Sequence, residues 1–332
     1  MQSCCSSKRL AYSGRRLVGA NVFRAAAPMS PVPTSQLAHL DELLLRNDDT
    51  AAVSFARQLQ EEGLLLGFGQ GRQLPKRIYS LEELRLNQID AAKLLSPKDK
   101  SLDLIRSTGQ AAAVAGLAAL ALATDLDGGR VLGAAFALVA ALTLDQVVNQ
   151  GGGETLLVDS LGRLSLAQYR QRVALHEAGH FLVAYLIGIL PRAYTLSAWD
   201  AFTKYRTLNL QAGTQFCDAA FQAELAAGRL SSSSLDQYAC MALAGVVTEA
   251  LRFGEAEGGV GDVAQLDRMM RALGFTQAKA DGQVRWAVLN VAMLLRRHSA
   301  IHDKLAAAMS RGDSVGSCLA LVEEELRRAA DI

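Results

Sequence analysis

Residues 173–190 read VALHEAGHFLVAYLIGIL, an apolar run broken at one place by His176, Glu177 and His180. A segment this apolar folds into an interior, and burying two imidazoles and a carboxylate there is costly unless a cation or a polar network compensates. Ser165 stands where it can cap a helix and Gly188 and Pro191 stop one, so the pattern predicts one long helix across the run. Residues four apart on a helix share a face, which lets His176 and His180 offer ring nitrogens to a single zinc ion at about 2.0–2.1 Å. Glu177 is then placed to act as general base toward a water in the site and to return the proton to a leaving amine. Ala178 and Gly179 keep bulk away from this face. Histidine is scarce, five in 332 residues, so chance pairing is improbable.

Such a site needs a third protein ligand and one open position. His298 and His302, in RRHSAIHDKL, are also four apart, but no carboxylate follows His298, and Arg296, Arg297 and Lys304 suggest a solvated face. Carboxylates are the better candidates, above all Glu249, Asp262 and Asp267 in a stretch whose glycines can bring a side chain close to a metal. Spacing alone does not rank the three.

The rest of the chain reads as mainly helical. Its pattern from 36 to 63 predicts one or two amphipathic helices broken near 47–50, and YSLEELRLNQIDAAKLLSP offers Ser80 as an N-cap with Glu83 in the capping-box position. GFGQGR (67–72) lacks the Lys-Ser or Lys-Thr of a phosphate loop and reads as a flexible turn. Two charge-free apolar runs, 111–123 and 131–144, are parted by TDLDGGR; they fit a helical hairpin in a membrane, or a pair of buried alanine-rich helices. If the hairpin spans, both flanks lie on one side, and Lys98, Lys100 and Arg106 mark it as matrix or stroma. NQGGGE (149–154) reads as a linker and SSSS (231–234) as a loop. KYRTLNLQAGTQF (204–216) alternates enough for a strand near the site that could pair with an extended substrate.

Composition narrows the function classes. With 34 basic and 33 acidic residues and 6% aromatics, the chain has no nucleic-acid footprint. Five scattered cysteines draw neither a disulfide framework nor a metal knuckle. The first forty residues are rich in Ser, Ala and Arg with no acid before Asp41, as in an organelle transit peptide.

HEAGH, followed by LAGVVTEALRFGE and GGVGDVAQLDR, resembles the peptidase domain of the FtsH family of zinc metalloproteases over about residues 164–324. The resemblance implies zinc ligands at His176, His180 and Asp262, the catalytic base at Glu177, and a supporting acidic position at Glu249; Asp267 becomes a helix-surface residue. It also implies a mainly α fold, a helical FtsH-type peptidase domain with a small β element, preceded by a helical segment and an apolar helical hairpin. The expected division is a transit peptide over 1–37, a helical region over 38–106, the probable transmembrane hairpin over 107–148 and the zinc peptidase domain over 149–332. Two features depart from the family: these residues hold no ATPase sequence, and Val246 and Val247 replace its usual Arg and Ala. The arrangement is similar to stand-alone FtsH-like proteins of chloroplasts, which implies a plastid membrane location with the peptidase facing the stroma. It further implies unfolded or membrane-protein substrates, and an FtsH-type ATPase partner or a homo-oligomer. A proteolytically inactive scaffold or chaperone at an organelle membrane is the alternative.

Overall fold

The computed structural model describes residues 31–98, 100–123, 128–149, 151–206 and 212–329. Its helices and strands run α1 (Thr34–Leu45), α2 (Asp49–Glu61), α3 (Leu81–Leu86), α4 (Ala91–Leu94), α5 (Lys100–Ala123), α6 (Gly128–Val148), α7 (Gly152–Ser165), α8 (Ala167–Leu186) and β1 (Pro191–Thr195). They continue with α9 (Ala198–Tyr205), β2 (Gly213–Phe216), α10 (Ala219–Ala226), α11 (Ser232–Phe253), α12 (Val260–Ala272), α13 (Gln277–Arg297), α14 (Ser299–Arg311) and α15 (Val315–Ala329). The described residues are mainly helical with one small antiparallel sheet, as expected.

α8 is the axle. Every residue from Ala174 to Leu186 is buried, as a helix that is apolar all round must be. It packs against α11 on one side and α14 on another, with α13 behind α11. Phe181, Leu182 and Tyr185 are fully buried, and Phe181 and Leu182 each contribute roughly 1.5–3 kcal/mol of apolar transfer. The helix starts two residues later than its expected cap: Ser165 ends α7, and Leu166, in extended conformation, makes the corner between the two helices without a side-chain cap.

GFGQGR is not a free turn; it caps the C-terminal end of α8. The amides of Gly69 and Gly71 donate to the carbonyls of Tyr185 (3.0 Å) and Leu186 (2.9 Å), satisfying acceptors that a helix end leaves open. A Cβ at Gly71 would fall 2.8 Å from the Leu186 Cβ, so only glycine allows this approach. Glu323 of α15, fully buried, fixes the loop by accepting from the amides of Leu66 (2.7 Å) and Gly67 (2.8 Å) and from the Tyr185 hydroxyl (2.6 Å).

The expected break at 47–50 is the α1–α2 junction, capped by Asp48, and the Ser80–Glu83 capping box is present in α3. Both apolar runs are helical. α6 is the one helix among the described residues long and apolar enough to cross a membrane, with mean hydropathy 2.0 and no part buried; α5 begins with Lys100, Asp103 and Arg106 and owes the rest largely to alanine, whose transfer energy is small. NQGGGE is no linker: α7 starts inside it, and Asp145 of α6 accepts from the amides of Gly153 (3.1 Å) and Glu154 (3.0 Å). Nor is SSSS a loop, because Ser231 caps α11 and the next three serines form its first turn. Of the expected strand 204–216, residues 207–211 lie outside the described residues, Lys204 and Tyr205 end α9, and only Gly213–Phe216 is β2. β2 pairs antiparallel with β1, Tyr194 opposite Thr214 and Thr195 opposite Gly213. Most of the expected transit peptide, up to residue 30, lies outside the described residues, and α1 begins within its last residues.

Replacing Glu323 by Ala leaves buried donors of the loop and of Tyr185 without an acceptor. The variant is expected to lose about 3 kcal/mol of stability in urea unfolding.

Candidate metal centre

The site is built where α8 crosses α11 and where a glycine-rich turn leads into α12. His176 Nε2 and His180 Nε2 are 3.1 Å apart, and Asp262 Oδ2 stands 3.3 Å from the first and 3.4 Å from the second. Asp262 lies in the first turn of α12, whose N-cap Gly259 has φ +84°, a conformation glycine adopts without strain.

Two outer hydrogen bonds aim these rings. His176 Nδ1 meets Glu249 Oε1 at 2.7 Å and His180 Nδ1 meets the Met241 carbonyl at 2.8 Å. A carbonyl can only accept, so His180 donates from Nδ1 and its Nε2 presents a lone pair inward. Tetrahedral coordination at about 2.0–2.1 Å puts neighbouring ligand atoms about 3.3 Å apart, which is the size of the triangle observed. A hydrogen bond from nitrogen to oxygen is shorter, about 2.9–3.0 Å. The donor set therefore fits a metal ion better than a proton, and the group His176, His180 and Asp262 could hold one.

The electrostatics agree. Burial raises the Asp262 pKa, but His180 and His176 outweigh it and hold the carboxyl well below its ordinary range. Burial likewise opposes charge on the His176 ring, yet the neighbouring carboxylates of Asp262 and Glu249 pull its pKa well above the usual value. Burial pushes Glu249 up, and its contacts with His176, the Glu257 amide and Arg172 bring it down to about 2. The three groups attract positive charge to one point.

Glu249, 1% exposed, is more than a partner of His176. Its Oε2 also accepts from Arg172 (2.9 Å) and from the amide of Glu257 (2.8 Å), so it ties α8, α11 and the turn before α12 together. Arg172 sits one turn before His176 and also pairs with Glu257 at 3.3 Å. Sequence reasoning passed over it; a cation four residues ahead of His176 on the same face was the available signal. Thr214 of β2 was missed too. Its hydroxyl donates to Glu177 Oε2 at 2.8 Å, and nothing local in the sequence links residues 37 positions apart.

Glu177 is buried beside the histidines, and burial lifts its pKa above the ordinary value while His176, His180 and Thr214 oppose the rise. It lines a cleft of about 1600 Å³ together with His176, His180, Asp262 and β2. Asp267 is exposed on α12, paired with Arg271 at 2.9 Å, and is not among the three residues that converge. The expectation of a solvated face at His298 and His302 is corrected: they are 2% and 3% exposed. His302 Nε2 meets the Leu175 carbonyl at 2.8 Å, and burial lowers its pKa to about 4. The flanking basic residues point outward while the histidines face α8 and the core.

No family model, curated protein or solved structure matches this chain.

Glycine is required where α11 passes His176. A Cβ on Gly245 would lie 2.1 Å from His176 Nε2, whereas one on Gly261 would meet nothing within 4 Å. Gly245→Ala is expected to abolish stoichiometric metal binding and Gly261→Ala to preserve it, as read by titration calorimetry with zinc.

Proposed function

We propose that this chain is a zinc metalloendopeptidase of the FtsH-like kind. The observation that supports the reading is the convergence of His176, His180 and Asp262 on one point, with the buried carboxylate of Glu177 beside it in a wide cleft. Two imidazoles and a carboxylate without thiolate suit zinc. A cation held there supplies Lewis acidity for the scissile carbonyl.

The chain's own residues do the rest. Glu177 takes a proton from the attacking water and passes it to the leaving amine, so a peptide bond is exchanged for an acid and an amine. Thr214 fixes the rotamer of that carboxylate, and the raised Glu177 pKa brings its basicity closer to neutrality. Arg172 and Glu249 hold His176 at its angle. We further propose α6 as a membrane span, a plastid membrane as the location, and a separate ATPase or a second copy as the partner that delivers unfolded or membrane-protein substrates.

Glu177→Gln is expected to keep one zinc per chain and to lose casein cleavage by at least about 100-fold. In the parent protein, cleavage should fall as pH drops through the raised Glu177 pKa, since the base is competent only when ionised. Unchanged cleavage by the Gln variant contradicts the assignment.

A further inference from the structure

α7 leaves the end of α6 with almost no intervening chain. Three residues lie between Val148 and Gly152, a reach of at most about 14 Å from one to the other, and the Asp145 carboxylate caps α7 from the last turn of α6. α5 is fastened to the same helix: Arg106 binds Glu154 at 2.6 Å, and Gly162 of α7 lies against Ile105 and Leu102. Whatever medium surrounds α6 therefore begins beside α7.

The outward face of α7 is apolar. Leu157, Leu161 and Leu164, spaced four and three apart, are 66%, 49% and 81% exposed, while Val158, Asp159 and Gly162 face inward. Asp159 Oδ2 accepts from the Ala198 amide at 2.9 Å, which docks α9 on α7, and α9 presents Trp199, 54% exposed. Isolated exposed leucines are ordinary on a soluble surface, but three in helical register with a tryptophan beside them, continuing from an unburied apolar helix, are not. Arg170, Lys204 and Arg206 are exposed on these elements, as is Asp200, while Glu154 is paired with Arg106 and Asp159 is buried.

We propose that α7 and α9 form a collar lying in the interfacial layer of an anionic bilayer, with Trp199 at headgroup level. The collar rests on the reading of α6 as a membrane span. An amphipathic ring prefers this layer, and the basic residues match anionic headgroups. Leu102, Thr155, Asp159 and Ala198, from the hairpin base and the collar, also line the cleft that holds His176, His180 and Asp262. The cleft thus opens on the bilayer surface.

The chain has two tryptophans, Trp199 and Trp286, and Trp286 is 3% exposed, so fluorescence reports the collar selectively. The full chain is reconstituted into phosphatidylcholine–phosphatidylglycerol vesicles with and without lipid brominated high on the acyl chain, and compared with Trp199→Phe. The collar requires that the vesicle-bound protein be quenched, that Trp199→Phe remove the quenching, and that a Trp286→Phe variant retain it. Flotation with the vesicles but no Trp199-dependent quenching overturns the collar and leaves the span intact. Failure to float overturns both. Emission from Trp199 that shifts with protein concentration and ignores the lipid assigns this face to a second copy and also overturns the collar.

Discussion

Two helices can share a metal site only if their backbones come close enough for side chains of one to be braced by the other, and here that closeness depends on two glycines. At Gly179 a Cβ would fall 2.2 Å from the Thr248 hydroxyl, and at Gly245 one would fall 2.1 Å from His176 Nε2. With both Cβ atoms absent, α8 and α11 pack deeply enough for Glu249 to reach His176 and for the Met241 carbonyl to reach His180. Those two contacts set ring orientation. The candidate metal site is therefore a property of the helix crossing rather than of the five residues HEAGH.

The same crossing answers for charge buried in an apolar interior. Glu249, Arg172, Glu257 and His176 would each be costly alone, but every one has an oppositely charged or amide partner in the cluster that joins α8, α11 and the turn before α12. Such a cluster holds a register between elements more than it adds stability. What it registers is Asp262, which α12 carries to the histidines across 82 residues of sequence.

The sequence was most legible where geometry is local. His176, Glu177 and His180 follow from helical spacing, and the α1–α2 break and the Ser80–Glu83 capping box from turn chemistry. Asp262 was separable from Glu249 and Asp267 only through the FtsH resemblance, because the distances that distinguish them arise from tertiary packing. Arg172 and Thr214 escaped for the same reason: their partners are 77 and 37 positions away. Glycine-rich stretches misled. GFGQGR and NQGGGE read as freedom, and both are tight approaches in which a missing side chain lets backbone amides reach the Tyr185 and Leu186 carbonyls or the Asp145 carboxylate. His298 and His302 misled because charges flanking a helix position say little about the face between them.

The account stands or falls on what lies among His176, His180 and Asp262. X-ray absorption at the zinc edge of the zinc-loaded full chain reads that shell directly. The account predicts one ion per chain with two imidazoles and light oxygen donors at about 2.0–2.1 Å, and loss of an imidazole contribution in His180→Ala. Sulfur in the shell, or an unchanged spectrum in that variant, would contradict it.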